Sequence, residues 1–554
     1  MSETSELLRV DTLELGIAHL PEARIVRKAS FEIQPGEFVG LVGESGSGKT
    51  MLGRSIIGLQ PSAIVPRGGS ITFRGKDLSA MSAKDLRHLR GAEIGMVFQE
   101  PMTSLNPSMT IGQQLEEPLQ VHTKLSATER RGEILEIMER VGIPSPEDRL
   151  KDYPHEFSGG MRQRIMLASA MLLKPALLIA DEPTTALDAL VQREVLELMV
   201  ELSRENGTAL LLISHDLPMV ARYCERIMVM CQGEIVEAGP AQTILACPQN
   251  AYTRKLLAAM PKRGPVRSFE GAETPIVEVR DLSVDYVSRS GLLARTSRKR
   301  ALNRVSLSVR RGEVVALVGA SGSGKTTLGR AIAHLIPTSE GEILFRGQPV
   351  SKRNSEWMDY RLNCQMIFQD PFSSLDPRFT IRRILSEALY HEKAQEVSVR
   401  EDRIRQAILE VGLEEMHLDR LPHEMSGGQR QRVAIARSII SEPDFVIADE
   451  AVSALDVTVQ AQVLELLADL QKKHGFSCLF ISHDLGVVEQ LADRVVVMRD
   501  GEIVEQGLRD TVFDVPKSDY TRALLSAIPT LRRTQTGVEL SWRFDAPNVA
   551  EVTR

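Results

Sequence analysis

A chain of 554 residues is long enough for several cores, about three or four domains by length alone. Hydrophobic residues make up 43% and charged residues 25%, the ordinary balance of a globular protein, and a net charge of −7 supplies no general basic field for nucleic acid. Five cysteines (Cys224, Cys231, Cys247, Cys364, Cys478) show no CxxC spacing, which argues against a disulfide framework, a zinc site or an iron–sulfur cluster and fits a reducing compartment.

The N-terminal MSETSELLRV lacks a basic region followed by an apolar one, so no secretory signal is expected. Further along, Glu37–Val42 is a short apolar strand running into Gly43-Glu44-Ser45-Gly46-Ser47-Gly48-Lys49-Thr50, a GxxxxGK[ST] loop. Its glycines let successive backbone N–H groups converge on phosphate oxygens, and the following helix adds its positive end. Lys49 is placed to reach the β- and γ-phosphates, and Thr50 to set a hydroxyl on Mg2+. The loop alone does not separate ATPases from GTPases or kinases. Ser158-Gly159-Gly160-Met161 opens an amphipathic helix. The serine is a good N-cap and the glycines expose N–H groups, which makes a second anion-binding helix start.

No stretch reaches the roughly 18–20 uninterrupted apolar residues of a membrane span. The nearest approach, Ala168 to Ala180, is broken by Lys174 and Pro175, so a role at a membrane requires docking onto other subunits. Ala176–Ala180 and Ala209–Ile213 read as buried strands. Between them Val191, Val195, Leu198 and Leu202 recur at helical spacing, a core-facing stripe. Asp181 and Glu182 emerge at the C-terminal edge of the first of these strands. There Asp181 can hold Mg2+ through water, and Glu182 suits polarising an attacking water.

All of this recurs. GESGSGKT returns 276 residues later as Gly319-Ala320-Ser321-Gly322-Ser323-Gly324-Lys325-Thr326, followed by Thr327. FQEPMTSLNP from Phe98 returns as FQDPFSSLDP from Phe368, and PHEFSGGMRQR from Pro154 as PHEMSGGQRQR from Pro422, 268 residues on. That offset holds through IADE, SHD and the closing YTRKLLAAMP and YTRALLSAIP. Asp449, Glu450 and Ser426-Gly427-Gly428-Gln429 therefore repeat the first set, and the chain is a duplicated domain. The expected organisation is a first domain over 1–260, a Pro- and Gly-rich linker over 261–275, a second domain over 276–530 and a polar tail over 531–554.

The SGG helix starts behind phosphate loops resemble the signature motifs of ATP-binding cassette (ABC) proteins, over roughly residues 8–530. The resemblance implies an α/β fold of two tandem P-loop (RecA-like) nucleotide-binding domains. Each would have a helical signature subdomain and an N-terminal antiparallel β subdomain. It also implies that the modules meet head to tail, so nucleotide at Lys49 faces Ser426–Gln429 and nucleotide at Lys325 faces Ser158–Met161. By the same resemblance Gln99 and Gln369 contact Mg2+ and water, Asp188 and Asp456 communicate across the pair, and His215 and His483 sense the γ-phosphate. Tyr286 matches the aromatic that stacks on adenine, where the first module has Ile17. Met161 departs from the usual signature glutamine, which Gln429 keeps, and Ala451 replaces the proline found at Pro183. Neither change removes a catalytic group. Both sites, Lys49 with Glu182 and His215, and Lys325 with Glu450 and His483, are expected to hydrolyse ATP.

The FQEP and FQDP segments and the YTR closings resemble the oligopeptide/dipeptide/nickel importer subfamily, a D-type module fused to an F-type one that carries the YVSRSGLLARTSRKR insertion. Such fusions resemble the ATPases of microcin C-type peptide and glutathione importers. The resemblance implies ATP and Mg2+ as ligands, two transmembrane permease subunits, and an external or periplasmic substrate-binding protein. It places the chain as a peripheral subunit at the cytoplasmic face of the plasma (inner) membrane. No iron–sulfur cluster is expected, because no cysteine follows Tyr252 before Cys364. The basic run Arg289–Arg304 reads as a solvated insertion, with approach to anionic lipid or a membrane subunit as the alternative. The competing reading is a tandem cassette translation factor acting on ribosomes. Proteins of that kind usually carry a long charged helical linker, whereas Pro261–Pro275 is short and holds three prolines.

Overall fold

The computed structural model describes residues 6–99, 104–184, 187–265, 267, 274–289, 296–351, 356–392, 396–453, 455–534 and 537–544. Parts of FQEPMTSLNP, TALD and SALD, the linker stretch 268–273, the insertion tip 290–295 and the tail from 545 lie outside the described residues. Two compact units divide the chain. The first comprises residues up to Ala258 together with Pro529–Trp542, and the second spans Ala259–Ile528 and continues from Arg543.

In the first unit the strands are β1 (Leu8–Ile17), β2 (Leu20–Ile33), β3 (Phe38–Val42), β4 (Ile64–Phe73), β5 (Lys76–Asp77), β6 (Ile94–Val97), β7 (Leu177–Asp181), β8 (Ala209–Ser214), β9 (Arg226–Cys231) and β10 (Glu234–Pro240). One antiparallel sheet runs β2-β1-β4-β5. The main sheet runs β10-β9-β3-β8-β7-β6 and is parallel except for β10. All five residues of β3 and of β7 are buried, because the antiparallel sheet and the helix Lys49–Ile56 cover one face of the parallel sheet and helices cover the other. The apolar runs in the sequence therefore become central strands.

The helical layer contains Ile111–His122, Ala127–Arg140 and Gly159–Met171. The first two begin on capping boxes, Thr110 with Gln113 and Ser126 with Glu129. Ile111, Leu115, Leu119, Ile134 and Met138 turn into the same core. The helix Ala189–Asn206 buries Val195, Leu196, Met199, Val200 and Leu202, a broader face than the predicted stripe. Val191 and Leu198 are only half-buried. Val191 lies beside Gly160 instead of joining the main core.

The second unit repeats the plan. Its strands are β11 (Val277–Arg289), β12 (Thr296–Val309), β13 (Val314–Val318), β14 (Glu340–Phe345), β15 (Gln348–Pro349), β16 (Cys364–Ile367), β17 (Phe445–Asp449), β18 (Ser477–Ile481), β19 (Arg494–Arg499) and β20 (Glu502–Leu508). The sheets run β12-β11-β14-β15 and β16-β17-β18-β13-β19-β20.

Two segments read as connection and tail have definite partners. Arg263 pairs with Glu489 and Asp514, and Arg267 with Asp493 and the amide oxygen of Gln471, so the start of the linker is held on the second unit. The stretch expected as a polar tail is in part a hairpin, β21 (Pro529–Thr534) with β22 (Gly537–Trp542). Leu531, Leu540 and Trp542 pack against the core of the first unit. Trp542 also lies under the Arg193 guanidinium at 4.2 Å and near that of Arg222 at 5.6 Å. A strand that turns alternate residues to one face carries few apolar residues in sequence, and for that reason a hairpin here reads as a polar tail.

Candidate nucleotide site

The phosphate loops form where β3 and β13 end. Gly48 and Gly324 both sit at φ 102, a left-handed conformation that favours glycine. A Cβ on Gly48 would stand 2.7 Å from the Ile25 carbonyl oxygen, and one on Gly324 2.9 Å from that of Ala301. The helices then begin at Lys49 and Lys325, both buried. Lys49 Nζ donates to the carbonyl oxygens of Gly43 (2.7 Å) and Glu44 (2.8 Å), and Lys325 Nζ to those of Gly319 (2.7 Å) and Ala320 (2.8 Å).

Asp181 closes β7 and Asp449 closes β17, both buried. Thr50 Oγ1 donates to Asp181 Oδ1 at 2.9 Å, and Thr326 Oγ1 to Asp449 Oδ1 at 3.0 Å. Burial pushes both carboxyls above their ordinary range, against the pull of the threonine hydroxyls. Asp181 Oδ2 is buried without a hydrogen-bond partner. A carboxylate oxygen orphaned beside a hydroxyl at the foot of a phosphate loop fits a hard divalent cation, so the residues present suit Mg2+.

The following glutamates are conformationally unusual. Glu182 and Glu450 both stand at φ 47, where a residue with a Cβ costs about 1–2 kcal/mol. Their N–H groups nonetheless continue the ladder, to the Ile213 carbonyl at 2.9 Å and the Ile481 carbonyl at 3.0 Å. Gln99 Nε2 donates to Glu182 Oε2 at 2.9 Å, and His215 Nδ1 lies 3.6 Å from the same oxygen. In the second unit Gln369 Nε2 stands 2.7 Å and His483 Nδ1 3.4 Å from Glu450 Oε2. The carboxylate partner raises both histidines above their ordinary value against the effect of burial. Burial pushes Glu450 up, but His483, Lys325 and Ser453 together outweigh it, so the carboxyl is held low. The SHD turns present the rings. Asp216 caps the helix Leu217–Tyr223 through Met219 N–H, and Asp484 caps Leu485–Leu491 through the Gly486 and Val487 N–H groups.

Each unit thus brings its lysine, threonine, aspartate, glutamate, glutamine and histidine together at one end of the parallel sheet. The signature residues belong to the helical layer instead. Ser158 Oγ accepts from Met161 N–H and Ser426 Oγ from Gln429 N–H, both at 3.3 Å. Gln429 Oε1 in turn accepts from Ser426 N–H at 2.9 Å, completing a capping box that Met161 has no group to make. The second glycine of each motif has a packing reason: a Cβ on Gly160 would meet Val191 Cγ1 at 2.6 Å, and one on Gly428 would meet Val459 Cγ1 at 2.6 Å. Asp188 caps the helix Ala189–Asn206 through Val191 N–H, whereas Asp456 stands at the same cap position without a side-chain cap bond. Tyr286 is 47% exposed with Oη 3.5 Å from Thr327 Oγ1, a surface ring beside the phosphate-loop helix. Two contributors escaped the sequence reading. Tyr252 and Tyr520 accept hydrogen bonds from phosphate-loop N–H groups, and the repeated YTR was the only trace of this in the sequence.

A phosphate loop, a strand-end Asp-Glu pair, a histidine beside that glutamate and a Ser-Gly-Gly helix start, all present twice, define a tandem ATP-binding cassette. The chain belongs to the ABC transporter family, whose model matches residues 26–185 and 302–453. A second model, the oligopeptide/dipeptide transporter C-terminal region, matches residues 236–281 and 504–550. The chain is 46% identical to the peptidoglycan transport ATP-binding protein YejF of Agrobacterium fabrum, over 92% of this chain and 94% of that one. It is 45% identical to an uncharacterized ABC transporter ATP-binding protein YejF of Escherichia coli (94% and 99% covered). It is 42% identical to the glutathione import ATP-binding protein GsiA of Pectobacterium atrosepticum (91% and 86%). The protein is an ATP-binding transport ATPase. Among the described residues no helix is long and apolar enough to cross a membrane.

Proposed function

We propose that this chain is the energy-coupling ATPase of a bacterial importer for short peptides or peptide-bearing fragments, working on two permease subunits served by an external substrate-binding protein. The observation that carries the reading is the peptide-transporter C-terminal region, matched after each of the two cassettes. Relatives named for peptidoglycan and glutathione transport support it, since both compounds contain peptide. The place of work is the cytoplasmic face of the inner membrane.

In this reading each module binds ATP on its phosphate loop, and the signature start of the other module closes on the phosphates. Mg2+, held by Thr50, Gln99 and Asp181 or by Thr326, Gln369 and Asp449, would neutralise phosphate charge when bound. Lys49 and Lys325, held by their loop carbonyls, turn the remaining donors of the ammonium toward phosphate oxygens. Glu182 Oε2 and Glu450 Oε2, each between an amide donor and a histidine, orient the attacking water and take its proton. The histidines, kept rich in proton by those glutamates, answer to the charge at the γ-position. ATP drives transport only through its preference for the closed pair over the open one. Copurification from detergent-solubilised membranes tests the assignment. Two polytopic permeases and ATP-dependent peptide uptake are expected, whereas sedimentation with ribosomes and no permease would overturn it.

A further inference from the structure

A residue of the C-terminal segment touches each phosphate loop from the side. Tyr252 stands in the helix Ala251–Ala258 and Tyr520 in the helix Asp519–Ser526, at equivalent places in the repeat. The Glu44 N–H donates to Tyr252 Oη at 3.1 Å, and the Ala320 N–H to Tyr520 Oη at 2.9 Å. The peptide unit that carries the Glu44 N–H also carries the Gly43 carbonyl, which accepts Lys49 Nζ at 2.7 Å. In the second unit the same plane joins the Ala320 N–H to the Gly319 carbonyl, which accepts Lys325 Nζ at 2.7 Å. One amide is therefore bonded at both ends, to a phenol on one side and an ammonium on the other. An amide whose N–H is engaged is a stronger acceptor at its carbonyl, and it cannot rotate without breaking both bonds.

The phenols are themselves held in place. Glu237 on β10 accepts from the Gln249 and Asn250 N–H groups at 2.7 and 3.1 Å, and Asn250 Oδ1 accepts from Tyr252 N–H at 2.8 Å. Glu505 on β20 accepts from the Lys517 and Ser518 N–H groups at 2.9 and 3.0 Å, just ahead of Tyr520. The loop residue that offers the N–H differs between the copies, Glu44 against Ala320, and this bond recurs because its donor belongs to the backbone.

We propose that Tyr252 and Tyr520 are positioning residues for Lys49 and Lys325, so that the segment following each cassette sets how tightly that cassette holds the phosphates of ATP. This rests on the reading that the two lysines bind phosphate. Tyr252→Phe and Tyr520→Phe keep the ring and delete the acceptor. In the full chain each is expected to raise KM for ATP at its site, the double variant by about five- to tenfold, with kcat unchanged. Tyr→Leu at the same positions, which also removes the ring, is expected to lower the melting temperature in addition. An unchanged KM in the double Phe variant, or a loss confined to the melting temperature, overturns the inference. Lys49→Ala and Lys325→Ala are measured alongside. ATP affinity unchanged in these variants would sink the lysine reading itself. Affinity lost in them but kept in the Phe variants would sink only the role of the tyrosines.

Discussion

Replacing Glu182 and Glu450 by glutamine, singly and together, tests whether the chain carries two working sites. The substitution is isosteric and leaves each backbone at φ 47, so it removes charge without releasing conformational strain. The two surroundings agree closely: the amide donors stand 2.9 and 2.7 Å from the carboxylate oxygen, and the histidines 3.6 and 3.4 Å. Matched geometry implies matched loss. A positioned base contributes about 10²–10⁴-fold, so the double variant is expected to fall at least about a hundredfold in phosphate release at saturating Mg-ATP. Each single variant should lose activity to a similar degree, whether the sites fire independently or in concert. Full activity in one single variant with none in the other would refute the claim that both sites hydrolyse.

Gly160→Ala and Gly428→Ala each push a methyl to 2.6 Å from a valine and should destabilise by about 1–3 kcal/mol, read as a lower melting temperature. Gly427→Ala meets nothing within 4 Å and should be tolerated, while Val459→Ala should rescue Gly428→Ala. Trp542→Ala removes the ring beneath Arg193 and Arg222, and should loosen the C-terminal hairpin by about 1–2 kcal/mol, seen as faster proteolysis between 529 and 542. Burial raises Glu489, but Arg543 and Arg263 outweigh it, and Arg263 likewise holds Asp514 low. A depressed carboxyl stabilises above its unfolded value, here 4.5 for Glu489, and that support is lost as pH falls through the folded value. Arg263→Ala with Arg543→Ala should therefore flatten the acid limb of the stability curve below that pH. An unchanged acid limb would show that the cluster contributes nothing.

Much of this was legible because the chemistry is local. A phosphate loop, a strand-end carboxylate pair and a serine N-cap each need only a few consecutive residues, and duplication made chance a poor explanation. The left-handed backbone of Glu182 and Glu450 was invisible, since no glycine or asparagine announces it. It follows from a strand ladder that continues while the side chain must turn toward Gln99 or Gln369. The tyrosine contacts span 208 residues in one copy and 200 in the other, and no periodicity reports a bond between a side chain and a distant amide. Met161 and Gln429 looked like a minor exchange, yet only one of the two helix starts can close a capping box.

The lysines are held by main-chain atoms. Lys49 Nζ has the Gly43 and Glu44 carbonyls at 2.7 and 2.8 Å, and Lys325 Nζ has those of Gly319 and Ala320 at the same distances. The second loop position is glutamate in one copy and alanine in the other, and the pair of carbonyl contacts is the same in both. A cation fixed by backbone keeps its place while the side chains around it change. The loop can therefore drift in sequence at that position without moving its lysine.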